Sequence, residues 1–192
     1  MAEAAIQGSV RGRLIEAGLE ELSRHGYHNF SVRRIANKCG VSCAAPYKHF
    51  KDKHSFIAAI IGHINSLWAE RQQVIISKYP DSTRKQLVEI SLDYIRFLVE
   101  NPHFRSVLML KDEEFDEESN KLRGQLSKLA RELIKKYCDE VGMPDFTRWL
   151  KTYIIRSLIY GAALMFDNGE LEYTEENMQA VYYAIDREFD LP

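Results

Sequence analysis

"SVRRIANKCGVSCAAPYKHF", Ser31 to Phe50, carries the strongest local signal in the sequence. It reads as a short helix, a turn around Gly40 and a second short helix, which is the helix-turn-helix pattern. Ser31 is expected to cap the first of these helices and Ser42 the second, because a serine side chain accepts a bond from a free N–H there. Gly40 can adopt the left-handed backbone conformation that such a turn requires.

The second short helix, about residues 42–50, has two different sides. At about 100° per residue, Pro46 and Phe50 lie on one side, which we expect to be buried. Pro46 falls in or just after the first turn, where its missing N–H removes only one early bond. The residues expected to face the bases of DNA are Ser42, Ala44, Ala45 and Lys48. Alanine can pack against thymine methyls, and lysine can reach guanine or a phosphate.

Helical periodicity continues along the rest of the chain, and no alternating strand pattern is convincing. The sequence therefore predicts an all-α protein of about nine helices. They are expected at about residues 10–25, 31–39, 42–50, 52–78, 83–100, 102–111, 121–140, 145–167 and 174–189. Asp52 is expected to cap the fourth, and "DEEFDEESN", Asp112 to Asn120, is expected to be an acidic loop that is solvated or, alternatively, attracts a cation.

Charge is unevenly distributed along the 192 residues, whose net charge is −2. Residues 1–54 carry nine Lys and Arg against five acidic residues, and the remainder carries 17 against 23. The net charge alone argues against a nucleic-acid binder. A basic head on an acidic body, however, fits a two-part protein in which only the head approaches phosphates. Chance is the alternative for an excess this small.

Several classes of protein are not supported by the sequence. No apolar run reaches the length of about 20 residues that crosses a membrane, and the first ten residues have no signal pattern. Three cysteines without a framework spacing indicate free thiols in a reducing cytoplasm. Cys39 and Cys43 lack a second pair for zinc, so inert thiols or a redox switch remain for them. No phosphate loop, HExxH or paired nucleophile points to an enzyme, a metal site or a cofactor.

The segment "LIEAGLEELSRHGYHNFSVRRIANKCGVSCAAPYKHFKDKHSFI", Leu14 to Ile57, resembles the TetR/AcrR family of bacterial transcriptional regulators. The matching residues, in order, are Gly26-Tyr27, Ser31-Val32, Ile35-Ala36, Gly40-Val41-Ser42, Tyr47, His49-Phe50 and Lys53. Three positions depart from the family pattern. Gly18 stands where alanine is usual, while Ala45 and Pro46 replace a hydroxyl residue and an aliphatic one. Operator specificity therefore does not carry over from other members.

The resemblance implies a domain organisation and a set of DNA contacts. It implies a three-helix helix-turn-helix DNA-binding domain at residues 1–54 and a helical effector-binding and dimerisation domain at residues 55–192. It also implies that Ser31, Tyr47 and Lys53 contact DNA phosphates, which set the register without reading sequence. His49 lies near the boundary of the buried side, where it either packs or adds a phosphate contact.

The C-terminal helices offer candidates for an interface and a pocket. The resemblance implies a dimer through the last two helices, and internal packing is the alternative. The interface candidates are Ile154, Leu158, Gly161, Met165, Met178, Val181, Tyr182 and Ile185. The candidates for lining an effector pocket are Trp68, Tyr94, Phe97, Phe104, Met109 and Tyr153, although such residues more often belong to plain core.

Taken together, these patterns predict a cytoplasmic, homodimeric regulator of transcription that binds a two-fold site in double-stranded DNA. A repressor released by an unknown small-molecule effector is the simplest form. One alternative is a DNA-binding regulator whose C-terminal domain binds a protein partner. The other is a helical enzyme or other protein that does not bind DNA.

Overall fold

The computed structural model describes residues 8–108 and 115–190, apart from the side chain of Ser106. Within these residues there are nine α-helices, one 3-10 helix and no strand. The helices are α1 (Val10–His25), α2 (Val32–Lys38), the 3-10 helix (Pro46–Lys48), α3 (Lys53–Lys78), α4 (Thr83–Glu100), α5 (Pro102–Leu108), α6 (Glu117–Gln125), α7 (Lys128–Val141), α8 (Asp145–Asn168) and α9 (Glu175–Arg187). The all-α class predicted from the sequence is confirmed.

Packing divides the chain into two compact units. The first contains the chain up to Leu67 together with residues 102–126, and the second contains residues 68–101 together with the chain from Ser127. The long helix α3 contributes residues to both. The predicted domain boundary at residue 54 stays a prediction, because the packing of the chain does not show whether residues 1–54 fold alone.

The first unit is built around α1. This helix packs against α2 and α5, and Leu14, Ile15 and Leu22 on its inner face are fully buried. Phe56 and Ile60 of α3 are equally buried. Apolar residues three and four apart put these side chains on one stripe of each helix, which explains why the helices bury those faces.

The second unit is built around α4, which packs against α7, α8 and α9. Val88, Ile95 and Leu98 are its buried centre. Polar bonds join the helices at the edge of this core. The Tyr137 hydroxyl donates to the carbonyl of Phe189 at 3.0 Å.

The predicted caps are confirmed where the side chains make them. Ser31 accepts a bond from the Arg34 N–H at 3.3 Å. Asp52 accepts one from the Ser55 N–H at 2.8 Å, and the Ser55 hydroxyl accepts the Asp52 N–H in return at 3.0 Å. These bonds satisfy N–H groups that have no partner inside a helix.

The predicted seventh helix is wrong in its bounds, because the structure has two helices in its place. Asp116 accepts the Ser119 N–H at 2.8 Å and so starts α6 inside the stretch predicted to be a loop. Glu117 and Glu118 then occupy its first turn, where negative charge suits the helix dipole. Residues 112–114 of that predicted loop, and the end of the sixth helix at residues 109–111, lie outside the described residues.

Candidate nucleic-acid interface

The turn between the two short helices has the geometry that the sequence predicted. Gly40 has a φ of +66°, in the left-handed region that favours glycine. The N–H of Val41 donates to the carbonyl of Ala36 at 3.0 Å and closes the end of α2. The chain therefore leaves α2 in a fixed direction.

The second element is a 3-10 helix, Pro46–Lys48, and not the α-helix expected from residue 42. An α-helix starting at Ser42 needs an N–H at residue 46 to bond its carbonyl, and proline has none. The Ala45 N–H takes that carbonyl instead, at 2.9 Å. The prediction that Ser42 caps this helix is therefore wrong. The residue before the helix is Ala45, and its side chain makes no cap bond.

The two sides of this element separate much as predicted. Pro46 is buried, whereas Ala44 and Lys48 are exposed and Tyr47 is 58% exposed. Ala45, expected to face outward, is only half-buried. Ser42 is exposed. Contact of these residues with DNA bases stays a prediction.

A stack of aromatic rings holds the exposed element in place. The ring of Phe50 lies parallel to that of Phe56, with centroids 4.0 Å apart and 6° between their planes. Phe30 meets Phe56 edge-on at 5.4 Å. Gly18 allows α1 to approach this stack, since a Cβ there would lie 3.1 Å from the Phe56 ring and 2.9 Å from Cδ1 of Ile60. The departure at Gly18 is thus explained by packing.

A buried carboxylate fixes the start of α2, and no local sequence pattern indicates it. Glu21 of α1, with only 9% of its side chain exposed, accepts bonds from the Ser31 N–H at 3.1 Å and from Nε of Arg34 at 2.9 Å. Charge-assisted bonds of this kind are stronger than neutral ones. They tie α2 to α1 beside the residue expected to contact phosphate.

The four residues expected to contact phosphates lie in different surroundings. Tyr47 and His49 are exposed, and the His49 ring also lies 6.2 Å from the Phe50 ring between centroids, so both alternatives for His49 stay open. Ser31 is half-buried as the cap of α2. Lys53 is also half-buried, and its ammonium donates to the carbonyl of His28 at 3.1 Å. Burial lowers the pKa of Lys53.

The thiols and acidic residues do not form a metal site among the described residues. Cys39 is half-buried and its Sγ lies 3.4 Å from the carbonyl oxygen of Arg13, whereas Cys43 is exposed. Burial raises the pKa of Cys39, which lowers its thiolate fraction and its reactivity. In the same residues, no helix is long and apolar enough to cross a membrane.

Three of the residues predicted to line a pocket form a ring cluster in the second unit. Trp68 lies 5.0 Å from Tyr94 and 5.3 Å from Phe97 between ring centroids. Gln72, one turn after Trp68 on α3, is 6% exposed, and its amide nitrogen has no hydrogen-bond partner. A buried donor without a partner is rare and costly.

The other three pocket candidates are placed elsewhere. Phe104 is buried on α5 in the first unit. Tyr153 is 62% exposed on α8 and therefore does not line an interior cavity, which corrects that prediction. Met109 lies outside the described residues.

The predicted interface residues are only partly at the surface. Met178 and Ile185 are 3% and 0% exposed inside their own unit, so they are not available to a second copy and the prediction for them is corrected. Ile154, Leu158, Gly161, Val181 and Tyr182 are half-buried, and Met165 is 40% exposed.

The most exposed apolar residues of α8 lie on a different side of the helix from the predicted interface residues. Five of them fall within an arc of about 60° on the helix. They are Phe146, Trp149, Tyr153, Tyr160 and Leu164, called the α8 stripe below. Neighbouring rings are aligned along it, with Trp149 stacked on Tyr153 at 6.1 Å and 14°. The sequence pattern alone does not identify this face, because the small residues near Gly161 favour the adjacent face of α8 as an interface.

Comparison with known proteins agrees with this architecture. The family model described as bacterial regulatory proteins, tetR family, matches residues 14–60. An HTH-type transcriptional regulator of Staphylococcus aureus (strain bovine RF122 / ET3-1) is 26% identical over 152 residues, 77% of each chain. A solved structure described as a fatty acid metabolism regulator of Clostridium perfringens has a TM-score of 0.71 at 20% identity, over 92% of this chain and 96% of that one. FadR of Bacillus subtilis, solved in complex with stearoyl-CoA, has a TM-score of 0.68 at 14% identity, with the same coverage.

An exposed helix-turn-helix on an all-helical body, with relatives named as transcriptional regulators, defines the class: a DNA-binding regulator of transcription and not an enzyme. The family model matches the helix-turn-helix, and the solved structures share the fold along nearly the whole chain. The chain is a regulator of transcription whose DNA-binding segment, residues 14–60, matches that of the TetR family.

Proposed function

We propose that the protein is a homodimeric repressor that binds a two-fold DNA site in the cytoplasm and leaves it when a small molecule binds. The observation that carries this proposal is the exposed surface around Tyr47 and Lys48. It stands on a short element that Pro46 and Phe50 anchor to the core. A rigid, outward-facing element of this kind can enter a major groove, and two copies related by a two-fold axis read two half-sites.

The phosphate contacts are assigned to the rim of this surface. Tyr47 and His49 are exposed there, and Ser31 begins α2 with its hydroxyl available as a donor while its oxygen caps the helix. Lys53 begins α3. Contacts of this type orient the protein on the duplex, and the base-facing residues then select the sequence.

The α8 stripe is the surface that we assign to the second copy. Three of its rings, Phe146, Trp149 and Tyr153, are 71%, 62% and 62% exposed. Rings of about 200 Å² that are two-thirds exposed offer about 400 Å² together. That is about half of the roughly 800 Å² that one partner contributes to a standard interface, and it is large for a monomer surface.

The stripe is tested by placing a charge on it. Trp149→Glu should convert the protein to a monomer, weakening self-association about a thousandfold if each copy loses about 2 kcal/mol. Sedimentation equilibrium measures this directly. Val74→Glu is the matched control, because Val74 is 68% exposed on α3 and lies off the stripe. A Trp149→Glu protein that dimerises like the control would contradict the assignment, and a monomeric wild type would favour a different protein as the occupant.

The effector that we propose is a long-chain acyl-CoA. One solved neighbour of the same fold carries stearoyl-CoA, and another is described as a regulator of fatty acid metabolism. Support within this chain comes from the aromatic cluster around Trp68 and the unpartnered amide of Gln72. Aromatic side chains beside one buried donor suit an acyl chain with a carbonyl group.

Release would work through α3. The helix carries Gln72 in its second half and Lys53 at its start, so a shift of its axis on effector binding also moves Lys53. A ligand changes DNA affinity only to the extent that it prefers one arrangement over the other.

The effector is tested by titrating the protein–DNA complex with stearoyl-CoA, using fluorescence anisotropy of labelled duplex. Coenzyme A and stearate, each alone, are the controls for the headgroup and for the chain. Release by stearoyl-CoA at a concentration where neither control acts supports the proposal. Unchanged DNA binding at saturating stearoyl-CoA would exclude this effector class.

A further inference from the structure

Four side chains of the first unit meet at the start of α3, and the sequence did not connect them. They are Tyr27, Lys53, His54 and Asp116, called the Tyr27 cluster below. Tyr27 follows α1 and is 7% exposed, whereas Asp116 caps α6, 89 residues further along the chain. The cluster joins the residue expected to hold a DNA phosphate to a distant helix start.

The ring of Tyr27 holds the Lys53 side chain. The Lys53 ammonium lies 5.0 Å from the centroid of that ring and donates to the His28 carbonyl at 3.1 Å. A cation over an aromatic face is attracted by the negative charge of that face. A lysine fixed in this way loses less side-chain freedom when it binds a phosphate than a fully mobile lysine would.

The hydroxyl of Tyr27 holds the other half of the cluster. Its oxygen lies 2.6 Å from Nδ1 of His54 and 3.2 Å from Oδ2 of Asp116, and His54 Nδ1 is 3.1 Å from the same carboxylate oxygen. With a proton on Nδ1 of His54, the hydroxyl donates to Asp116 and the imidazole N–H is shared between the two oxygens. The ring of Phe115 packs edge-on against Tyr27 at 5.2 Å and fixes its plane.

Asp116 has two roles at once. One oxygen accepts the Ser119 N–H at 2.8 Å and so caps α6, and the other accepts the bonds of the Tyr27 cluster. Burial alone would raise the pKa of Asp116, but the bonds from Ser119, His54 and Tyr27 outweigh it and lower the pKa. The carboxylate therefore stays charged while it links the two sites.

We propose that Tyr27 is a positioning residue for the phosphate contact of Lys53, and that Asp116 couples this contact to the start of α6. The inference rests on the phosphate role of Lys53 in the proposed function. It adds that the order of α6 and the affinity for DNA depend on each other through the hydroxyl of Tyr27.

A double-mutant cycle tests the positioning role, with affinity for a duplex selected by the wild type measured over a range of salt concentrations. Lys53→Ala should lower the slope of log affinity against log salt by about 0.9 per subunit. Tyr27→Leu should weaken binding about three- to tenfold in the wild type, and by less than about twofold in Lys53→Ala. An equal loss in both backgrounds, or no loss in the wild type, would show that Tyr27 is merely structural.

Two gentler variants test the link to α6 and keep the proposal testable if Tyr27→Leu folds poorly. Asp116→Asn retains a good capping side chain but loses the charge that accepts the Tyr27 hydroxyl. It should weaken DNA binding about two- to fourfold in the wild type and not at all in Tyr27→Phe, which keeps the ring and lacks the hydroxyl. A loss that persists in Tyr27→Phe would overturn the coupling. An unchanged salt slope in Lys53→Ala would instead overturn the phosphate role itself.

Discussion

Replacing Gly18 and Gly62 by alanine should change stability in opposite directions, although both glycines lie inside α-helices. Alanine is favoured over glycine in a helix by about 1 kcal/mol. At Gly62 nothing lies within 4 Å of the new Cβ, so Gly62→Ala should gain that amount. At Gly18 the new Cβ would lie 2.9 Å from Cδ1 of Ile60 and 3.1 Å from the Phe56 ring.

The contacts at Gly18 decide the sign there. Ile60 and Phe56 are 0% and 1% exposed, and Phe56 is held between Phe30 and Phe50. Overpacking a core of this kind costs about 1–3 kcal/mol, which exceeds the gain in helix propensity. We therefore expect Gly18→Ala to be destabilised by about 1 kcal/mol relative to the wild type.

Urea unfolding followed by circular dichroism measures both variants. The predicted difference of about 2 kcal/mol corresponds to about 1 M in the midpoint, for a slope of about 2 kcal/mol per M. All three proteins must be compared at one concentration, because subunit association also stabilises. If Gly18→Ala were stabilised as much as Gly62→Ala, the close approach of α1 to the Phe56 stack would not exist.

Three further predictions concern single side chains. The pKa of Asp116 is lowered in the fold, so its contribution to stability is present above pH about 4 and is lost as pH falls through the folded value. The difference in urea midpoint between wild type and Asp116→Asn should therefore shrink as pH falls through that value, and a constant difference would contradict this. Tyr137→Phe removes the bond to the Phe189 carbonyl and should cost about 1 kcal/mol in thermal unfolding. Gln72→Met removes a buried donor without a partner and should stabilise the ligand-free protein by about 1 kcal/mol, whereas a loss would mean that the amide is satisfied.

Local signals in the sequence predicted much of the first unit correctly. The cap at Ser31, the left-handed Gly40 and the buried Pro46 each depend on residues within a few positions of one another. The prediction of an α-helix after the turn was wrong because periodicity assumes regular α-helical winding, whereas Pro46 changes the hydrogen bonding of that segment.

Contacts between distant residues could not be predicted. Glu21 holding Ser31 and Arg34, and Tyr27 meeting Asp116, join residues up to 89 positions apart, and one sequence carries no signal for such pairs. The face of α8 was missed for a related reason. Small residues near Gly161 fit a close helix contact, but only burial in the folded unit shows which apolar side chains, such as Trp149, remain outside.

We propose above that two copies of the exposed element around Tyr47 read a two-fold DNA site. Selection of bound fragments from random duplex DNA by the purified protein tests it most directly. We expect an inverted repeat whose half-sites are separated by about one helical turn of DNA or a multiple of it, with affinity that falls steeply as salt rises. Recovery of no common sequence, or of a single asymmetric site bound by a monomer, would contradict it.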